Sequence, residues 1–158
     1  FGLQGILTIV SDDQVIIRPL ETRAEYEACV ALQRDIWGRD FADVVPATIL
    51  MVSQQVSGVA SGAFDAGRLV GFVFGISGVR DHVTAHWSDM LAVRPEARGH
   101  GLGRRLKLHQ RERLLAVGIE RVYWTFDPLV ARNARLNQSS SSVLLRLFRN
   151  SLTSSRDS

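Results

Sequence analysis

Three glycines spaced two residues apart lie in a short, arginine-rich segment. The segment reads Arg98-Gly99-His100-Gly101-Leu102-Gly103, and Arg104 and Arg105 follow it directly. It comes after a predicted strand and opens a predicted helix, so backbone amides and the positive end of the helix dipole would meet an anion here. Glycine permits positive φ and lets phosphate oxygens reach the amides without an intervening Cβ. The spacing predicts a phosphate-binding turn.

The basic charge of the chain is concentrated at this turn. The net charge is +3, but residues 98–113 hold six bases and one acid, a local +5, which leaves −2 elsewhere. This concentration indicates a local anionic partner rather than a surface that follows a nucleic-acid backbone. A DNA-binding module that uses a basic helix over 101–117 is a remote alternative, because the start Gly101-Leu102-Gly103 suits phosphate better than base edges.

The predicted strand that leads into the turn contains an interruption. Val83 to Val93 alternates in character, with His86 and Ser88 on one side, until Asp89 breaks the alternation. A carboxylate on an apolar face must be paired, neutralised or displaced by a bulge, and each outcome is common at functional sites. Asp89 therefore marks a candidate functional position, with a structural hydrogen-bond role as the alternative.

Length and composition predict one domain to hold these residues. The chain has 158 residues, 46% of them hydrophobic, which suffices for one packed core. Its one cysteine, Cys29, cannot form an internal disulfide or a zinc site, so we expect no metal and a reducing, cytoplasmic setting. No apolar run reaches the roughly 20 residues of a membrane span, and no basic segment precedes the apolar start, so we expect neither membrane insertion nor export.

The order of predicted elements is βα(α)βββαβα, a mixed α/β fold with an antiparallel start and one parallel crossover. Thr22 and Glu25 have the spacing of a capping box at the start of the first helix, and Gly38 ends that helix. A second helix begins near Pro46, and the long helix after the glycine turn ends near Val117. The predicted strands span residues 14–20, 59–64, 69–76, 83–93 and 119–126.

Three kinds of phosphate loop compete at the turn. A nucleoside-triphosphate loop needs a Gly-Lys-Ser/Thr ending, which is absent, and a dinucleotide fingerprint needs a small residue where Arg104 stands. The third pattern is Arg/Gln-x-x-Gly-x-Gly/Ala after a hydrophobic-Val-x-Pro phrase, and residues 98–103 after Leu91-Ala92-Val93-Arg94-Pro95 fit it at every position. With the element order, this pattern resembles the GNAT superfamily of N-acetyltransferases over about residues 15–137.

The resemblance implies an acetyltransferase that binds acetyl-CoA as cosubstrate and acts on an amine of a small molecule or peptide by direct attack in a ternary complex. It places the pyrophosphate on the backbone of residues 98–104 and the pantetheine arm along the strand at 91–93. It implies Asp89, and after it His86, as candidate bases. The implied cofactor-binding residues are Leu91, Ala92, Val93, Arg98, Gly99, His100, Gly101, Leu102, Gly103, Arg104 and Asn133.

The resemblance does not extend over the whole chain. We expect a leader at 1–13, the acetyltransferase-like domain at 14–137, and a serine-rich, atypical tail at 138–158 in place of the last two strands of relatives. The tyrosine that often protonates the thiolate has no counterpart here, so a catalytically inactive acyl-CoA-binding or regulatory domain is the main alternative. A sheet edge left exposed by the altered ending predicts a homodimer.

Overall fold

The structure, a computed structural model, describes residues 14–124, which form a sheet flanked by helices. The strands are β1 (Ile16–Pro19), β2 (Val59–Asp65), β3 (Arg68–Arg80), β4 (Val83–Val93) and β5 (Arg121–Trp124). The helices are α1 (Arg23–Trp37), α2 (Ala47–Gln55) and α3 (Leu102–Ala116). The strand order is β1-β2-β3-β4-β5, with antiparallel pairing from β1 to β4 and parallel pairing of β4 with β5. The predicted mixed α/β sheet with one parallel crossover is confirmed.

Helix α1 begins at the predicted capping box. The Thr22 side chain accepts a hydrogen bond from the amide of Glu25, and the Glu25 carboxylate accepts one from the amide of Thr22. Arg18 holds the same carboxylate at 2.6 Å and lowers the pKa of Glu25 to about 2. Gly38 ends the helix with a φ of 103°. The start and end of α1 follow from local sequence.

The two faces of the sheet carry separate cores. One face packs against α1 and α2 through buried residues that include Leu32, Leu50, Phe72, Phe74 and Met90. The other face packs against α3 through buried residues that include Val70, Val73, Ala97, Leu102 and Leu106. Strand β4 contributes to both cores, and a 3₁₀ turn, Pro95–Ala97, connects it to the glycine turn.

The hairpin between β3 and β4 is longer than the sequence predicts. We expected β3 to end near Ile76 and residues 77–83 to form a loop of the substrate cleft, but β3 continues to Arg80. Asp81 and His82 form the turn with φ of 51° and 62°. Two residues at positive φ make a turn whose twist matches that of the flanking strands, so pairing continues to the tip. Aspartate and histidine tolerate this conformation better than most residues.

Several sequence predictions lie outside the described residues. These are the leader at 1–13, the cofactor contact Asn133, the helix that would follow β5, and the atypical tail at 138–158. A homodimer at the sheet edge likewise stays a prediction. None of the helices within residues 14–124 combines the length and apolarity that a membrane span requires.

Candidate functional site

The glycine turn lies at the start of α3. Gly99 and Gly101 have φ of 91° and 70°, a left-handed conformation that other residues adopt only with strain. A Cβ atom at either glycine would meet no atom of residues 14–124 within 4 Å. The buried side chains of Ala97 and Leu102 hold the two ends of the turn against the core. Buried side chains thus fix both ends of a turn whose glycines leave its backbone uncovered by side chains.

The start of α3 has the electrostatics of an anion site. No side chain caps the helix, and its first turn contains no acidic residue. The first intrahelical hydrogen bond runs from the Arg105 amide to the Gly101 carbonyl, so the amides before Arg105 precede the helical ladder. Arg98 donates from Nε to the carbonyl of Val93, and the Arg104 side chain is exposed. Helix dipole and arginines both favour negative charge here.

Among residues 14–124, part of the edge of β4 has no strand partner. Parallel pairing with β5 covers only Ala85 to Ser88, the last pair being Ser88 with Trp124. Within residues 14–124, β4 has no strand partner on this side from Asp89 to Val93. An extended ligand that hydrogen-bonds to backbone can occupy such an edge as an added strand would. The 3₁₀ turn Pro95–Ala97 separates the end of this edge from the glycine turn, and Arg98 of the turn donates from Nε to the Val93 carbonyl.

Asp89 is the extra residue of a β-bulge. In the register with β3, Phe74 pairs with Met90 and Gly75 pairs with Ser88, which leaves Asp89 without an opposite residue. The bulge turns Asp89 toward solvent. The predicted break in the alternation at Asp89 is therefore resolved by displacement of the carboxylate. The bulge also reverses the parity of the strand, so that Leu91 and Val93 face α3, as His86 and Ser88 do.

The Asp89 carboxyl is electrostatically perturbed. Partial burial, and secondly the Asp43 carboxylate, raise the pKa of Asp89 above the ordinary value of an aspartate. Asp43 lies in the segment between α1 and α2, which Gln33 fixes from the end of α1. The fully buried Gln33 amide donates to the carbonyl of Val45 at 3.0 Å and accepts from its amide at 2.7 Å. A fixed segment thus brings a second carboxylate to the bulge.

A hydrogen-bonded chain of polar groups lies behind the bulge; His86, Ser88 and Gln110 are buried, and its ends, Ser77 and Lys107, are half-buried. Lys107 Nζ donates to Ser88 Oγ at 2.6 Å and approaches Gln110 Oε1 at 3.4 Å. Ser88 Oγ donates to Gln110 Oε1 at 3.0 Å, and Gln110 Nε2 lies 3.0 Å from His86 Nε2. His86 Nδ1 lies 2.9 Å from Ser77 Oγ. Each of these side chains therefore has a partner.

His86 is inaccessible to solvent and neutral. Its exposed fraction is 0%. Burial, and secondly the charge of Lys107, lower the pKa of His86 to about 4, so the imidazole is uncharged at neutral pH. Burial also lowers the pKa of Lys107 to about 8. The two candidate bases thus differ sharply: Asp89 is accessible, and His86 lies inside the layer between sheet and helix.

Residues 18–136 match the profile of the Acetyltransferase (GNAT) family. This chain belongs to the GNAT acetyltransferase family. The match spans the glycine turn, the bulged strand and the elements on both sides of them. None of the curated proteins matches the chain significantly.

Solved structures show the same fold at low sequence identity. An aminoglycoside acetyltransferase from an uncultured soil metagenomic sample has a TM-score of 0.70 at 15% identity, covering 90% of this chain and 99% of that one. A GNAT-family acetyltransferase from Streptococcus pneumoniae has a TM-score of 0.65 at 22% identity, with 79% and 82% covered. The NatC complex bound to Gag peptide and CoA has a TM-score of 0.65 at 14% identity, with 80% and 82% covered.

The structure groups the residues that the family resemblance implies. Leu91, Ala92 and Val93 lie on the open edge of β4, and the residues from Arg98 to Arg104 form the turn beside that edge. Asp89 lies at the bulge where this edge begins, and His86 lies behind it. No group of three His, Cys, Asp or Glu side chains within residues 14–124 is arranged to hold a metal ion.

Sequence reasoning missed several members of the polar chain. Lys107 and Gln110 lie in the predicted basic helix without a predicted role in the site, and Ser77 lies just beyond the predicted strand at 69–76. One signal was available: Lys107 and Gln110 are three residues apart on α3, close to the helical positions Leu106 and Leu114 that face the sheet. Polar residues at this spacing opposite His86 and Ser88 point to a buried network, but their pairing depends on the parity change at the bulge.

Proposed function

We propose that this chain is an acetyl-CoA-dependent N-acetyltransferase that acetylates an amine of a small molecule or peptide by direct attack in a ternary complex. One observation carries the proposal: the edge of β4 that lacks a strand partner within residues 14–124 leads, through the 3₁₀ turn Pro95–Ala97, to the glycine turn at the start of α3. An extended acyl donor with a pyrophosphate at one end would fit backbone donors along the edge and an anion site at its end. The family uses acetyl-CoA, which has this chemistry.

The glycine turn is the proposed pyrophosphate site. We assign the backbone of Arg98, Gly99, His100, Gly101, Leu102, Gly103 and Arg104 to it. Positive φ at Gly99 and Gly101, open space in front of both, and the lack of an acidic residue in the first turn of α3 support this assignment. The exposed side chain of Arg104 adds positive charge beside the turn.

The open edge of β4 is the proposed site of the pantetheine arm. We assign the backbone of Leu91, Ala92 and Val93 to it, because these residues lack a β5 partner within the described part of the chain. Amide groups of the pantetheine would pair with this edge as a strand does. Asn133 matches the asparagine by which relatives contact the cofactor from the next helix, and it stays a proposal outside the described residues.

Asp89 is the proposed general base. The amine nitrogen attacks the thioester carbonyl carbon, the carbon–sulfur bond breaks, and the acetyl group stays on nitrogen as an amide. An acceptor that binds as an ammonium first loses one proton to the Asp89 carboxylate, directly or through one water, and the second nitrogen-bound proton leaves as the thiolate becomes a thiol. The raised pKa of Asp89 makes its carboxylate a stronger base, closer in proton affinity to the amine that it must deprotonate.

The charges at the site indicate the class of the acceptor. Burial raises the pKa of Asp89, and the nearby charge of the loop carboxylate Asp43 raises it further. Two carboxylates at this site favour a cationic amine over a neutral or anionic one. Among the structures of the same fold, one is titled an aminoglycoside acetyltransferase and another is bound to a peptide. We therefore propose that the acceptor is an amine of a small molecule or peptide.

Two measurements on the full chain test this function. Steady-state assays with acetyl-CoA and a panel of small-molecule and peptide amines should show CoA release that depends on the amine, and calorimetry should show CoA binding at one site. CoA binding without turnover would favour the alternative of an inactive acyl-CoA-binding domain. Failure of both binding and turnover would contradict the acetyltransferase assignment, and DNA binding by the basic α3 would then be the alternative to examine.

A further inference from the structure

The polar chain between β4 and α3 has no direct part in the proposed chemistry, yet its hydrogen bonds have one consistent direction. The Lys107 ammonium can only donate, so the Ser88 hydroxyl accepts from it and donates its own proton to Gln110. The Gln110 atom that accepts this bond is therefore the oxygen. Gln110 Nε2 must then donate to His86 Nε2, which accepts and carries no proton. The His86 proton lies on Nδ1 and is donated to Ser77 Oγ, which itself donates to the carbonyl of Ser57 at 2.7 Å.

This chain connects four elements around the bulge. Lys107 and Gln110 belong to α3, Ser88 and His86 to β4, and Ser77 to β3, while the Ser57 carbonyl lies just after α2. Ser88 directly precedes Asp89. The chain therefore ties the helix that begins at the glycine turn to the strand segment that presents the proposed base.

The opposite strand is shaped to hold the His86 ring. A Cβ atom at Gly75 would overlap both the imidazole of His86 and the backbone carbonyl of Trp87, so only glycine fits. Gly75 is also where the register with β4 shifts. The His86 ring, the space left by Gly75 and the bulge are therefore closely packed together.

Stability alone gives no reason for this arrangement. Polar groups and a cation buried between a sheet and a helix lose their hydration, and apolar packing of similar volume is often at least as stable. A fully satisfied buried network does specify one arrangement of the elements it joins. The polar chain is therefore explained by the arrangement that it imposes on these elements rather than by added stability.

We propose that His86, Gln110 and Lys107 are positioning residues that hold the bulge, and with it Asp89, in the orientation that accepts the proton of the amine. This inference rests on the proposed function. His86 then acts as a neutral hydrogen-bond relay between Ser77 and Gln110. It does not carry the substrate proton.

Replacement of His86 by glutamine and by leucine tests the proposal. Glutamine offers an acceptor to Gln110 and a donor to Ser77, but it cannot carry a proton at neutral pH. We expect His86→Gln to retain most of kcat and His86→Leu to lower kcat about tenfold or more, while the Kd for CoA changes by less than about twofold in both. His109→Gln, on the same helix but bonded to Ser61 outside the chain, is the matched control and should leave kcat and Kd in place.

Two outcomes of these assays would overturn the inference. Equal and large losses of kcat in His86→Gln and His86→Leu would mean that His86 carries the proton. Unchanged kcat in both would mean that the chain does not position the site. If His86→Leu does not fold, Lys107→Met takes its place, since methionine retains the packing of the stem and removes both donated hydrogen bonds, and the same fall in kcat at constant Kd is expected.

A readout independent of turnover separates this inference from the proposed function. NMR titration of the Asp89 carboxyl, together with its amide shift, reports the geometry of the bulge. Both signals should match the wild type in His86→Gln and should move in His86→Leu and Lys107→Met. If the wild type does not acetylate any amine, the proposed function fails, but the NMR comparison still decides the network: unmoved Asp89 signals in His86→Leu and Lys107→Met would refute it.

Discussion

The two halves of β4 face the same helix with opposite chemistry. Before the bulge, His86 and Ser88 meet α3 through a buried polar network; after it, Leu91 and Val93 meet α3 through an apolar core. The bulge at Asp89 makes this possible, because one extra residue keeps both halves directed at α3.

The difference indicates separate tasks. Apolar packing after the bulge stabilises the sheet against α3, whereas the polar half specifies where the strand and the helix lie relative to each other. The open edge for the cosubstrate adjoins the apolar half, and the proposed base lies at the junction. We expect changes after the bulge to lower stability and changes at or before it to lower turnover.

The largest effect is expected at the junction itself. Asp89→Asn retains the shape of the side chain but cannot accept the amine proton, so kcat should fall by about 10²–10⁴-fold, the usual contribution of a general base. The Kd for CoA, measured by calorimetry, should stay close to that of the wild type. A kcat within a few-fold of the wild type would exclude Asp89 as the base.

The next test compares the halves directly. Leu106 is fully buried near Val93, so Leu106→Ala should lower the free energy of unfolding by about 2–5 kcal/mol while the folded enzyme keeps its kcat. Ser88→Ala removes a partner of Lys107 and Gln110, which should cost about 1–3 kcal/mol and also lower kcat. Chemical denaturation and steady-state kinetics measure both. Equal effects of Leu106→Ala and Ser88→Ala on kcat would contradict the distinction between the two halves of β4.

A glycine pair probes the packing of the bulge. Gly75→Ala places a methyl group against the His86 ring and the Trp87 carbonyl, and overpacking of this kind costs about 1–3 kcal/mol or more. Gly78→Ala, three residues along the same strand, meets no atom within 4 Å and should change the free energy of unfolding by less than about 0.5 kcal/mol. Thermal denaturation measures the stability of both variants. Equal stability would contradict close packing of Gly75 against the His86 ring and the bulge.

The smallest effect concerns pH. Because Asp43 raises the pKa of Asp89, Asp43→Asn should lower that pKa and move the acid limb of the kcat/KM profile to lower pH. In the wild type the limb should lie above the ordinary pKa of an aspartate, with activity lost as the pH falls through it. Asp40→Asn in the same loop is the control. If the acid limb does not move in Asp43→Asn, the pKa of Asp89 does not set that limb.

Much of the fold could be predicted because its signals are local. The capping box at Thr22 and the glycine-rich turn before α3 each depend on a few neighbouring residues, and each is confirmed. The alternation predicted for β4 is wrong beyond Asp89, because the bulge moves Leu91 and Val93 to the side of His86 and Ser88. Even the bulge was among the outcomes expected for a carboxylate at position 89. The extension of β3 to Arg80 was missed, since Asp81 and His82 are less typical of a tight turn than Asn-Gly or Asp-Gly.

The network could not be predicted because it depends on distant pairing. Gln110 meets His86 only after the bulge has set the parity of β4 and α3 has packed across the sheet. His109 shows the same limit: nothing near it in the sequence indicates a partner, yet it is half-buried and bonded to Ser61 on β2. Contacts between residues far apart in sequence follow from tertiary packing.

The most direct test of the central claim is calorimetric titration of CoA into Gly101→Val and Gly67→Val. Both glycines have positive φ, 70° and 81°, and both substitutions cost about 1–2 kcal/mol of backbone strain. Only Gly101→Val also places a side chain in front of the proposed pyrophosphate site, since Gly67 lies in the β2–β3 turn. We expect the Kd to weaken about tenfold or more in Gly101→Val and to change by less than about twofold in Gly67→Val. Equal affinities in the two folded variants would contradict the placement of CoA at the glycine turn.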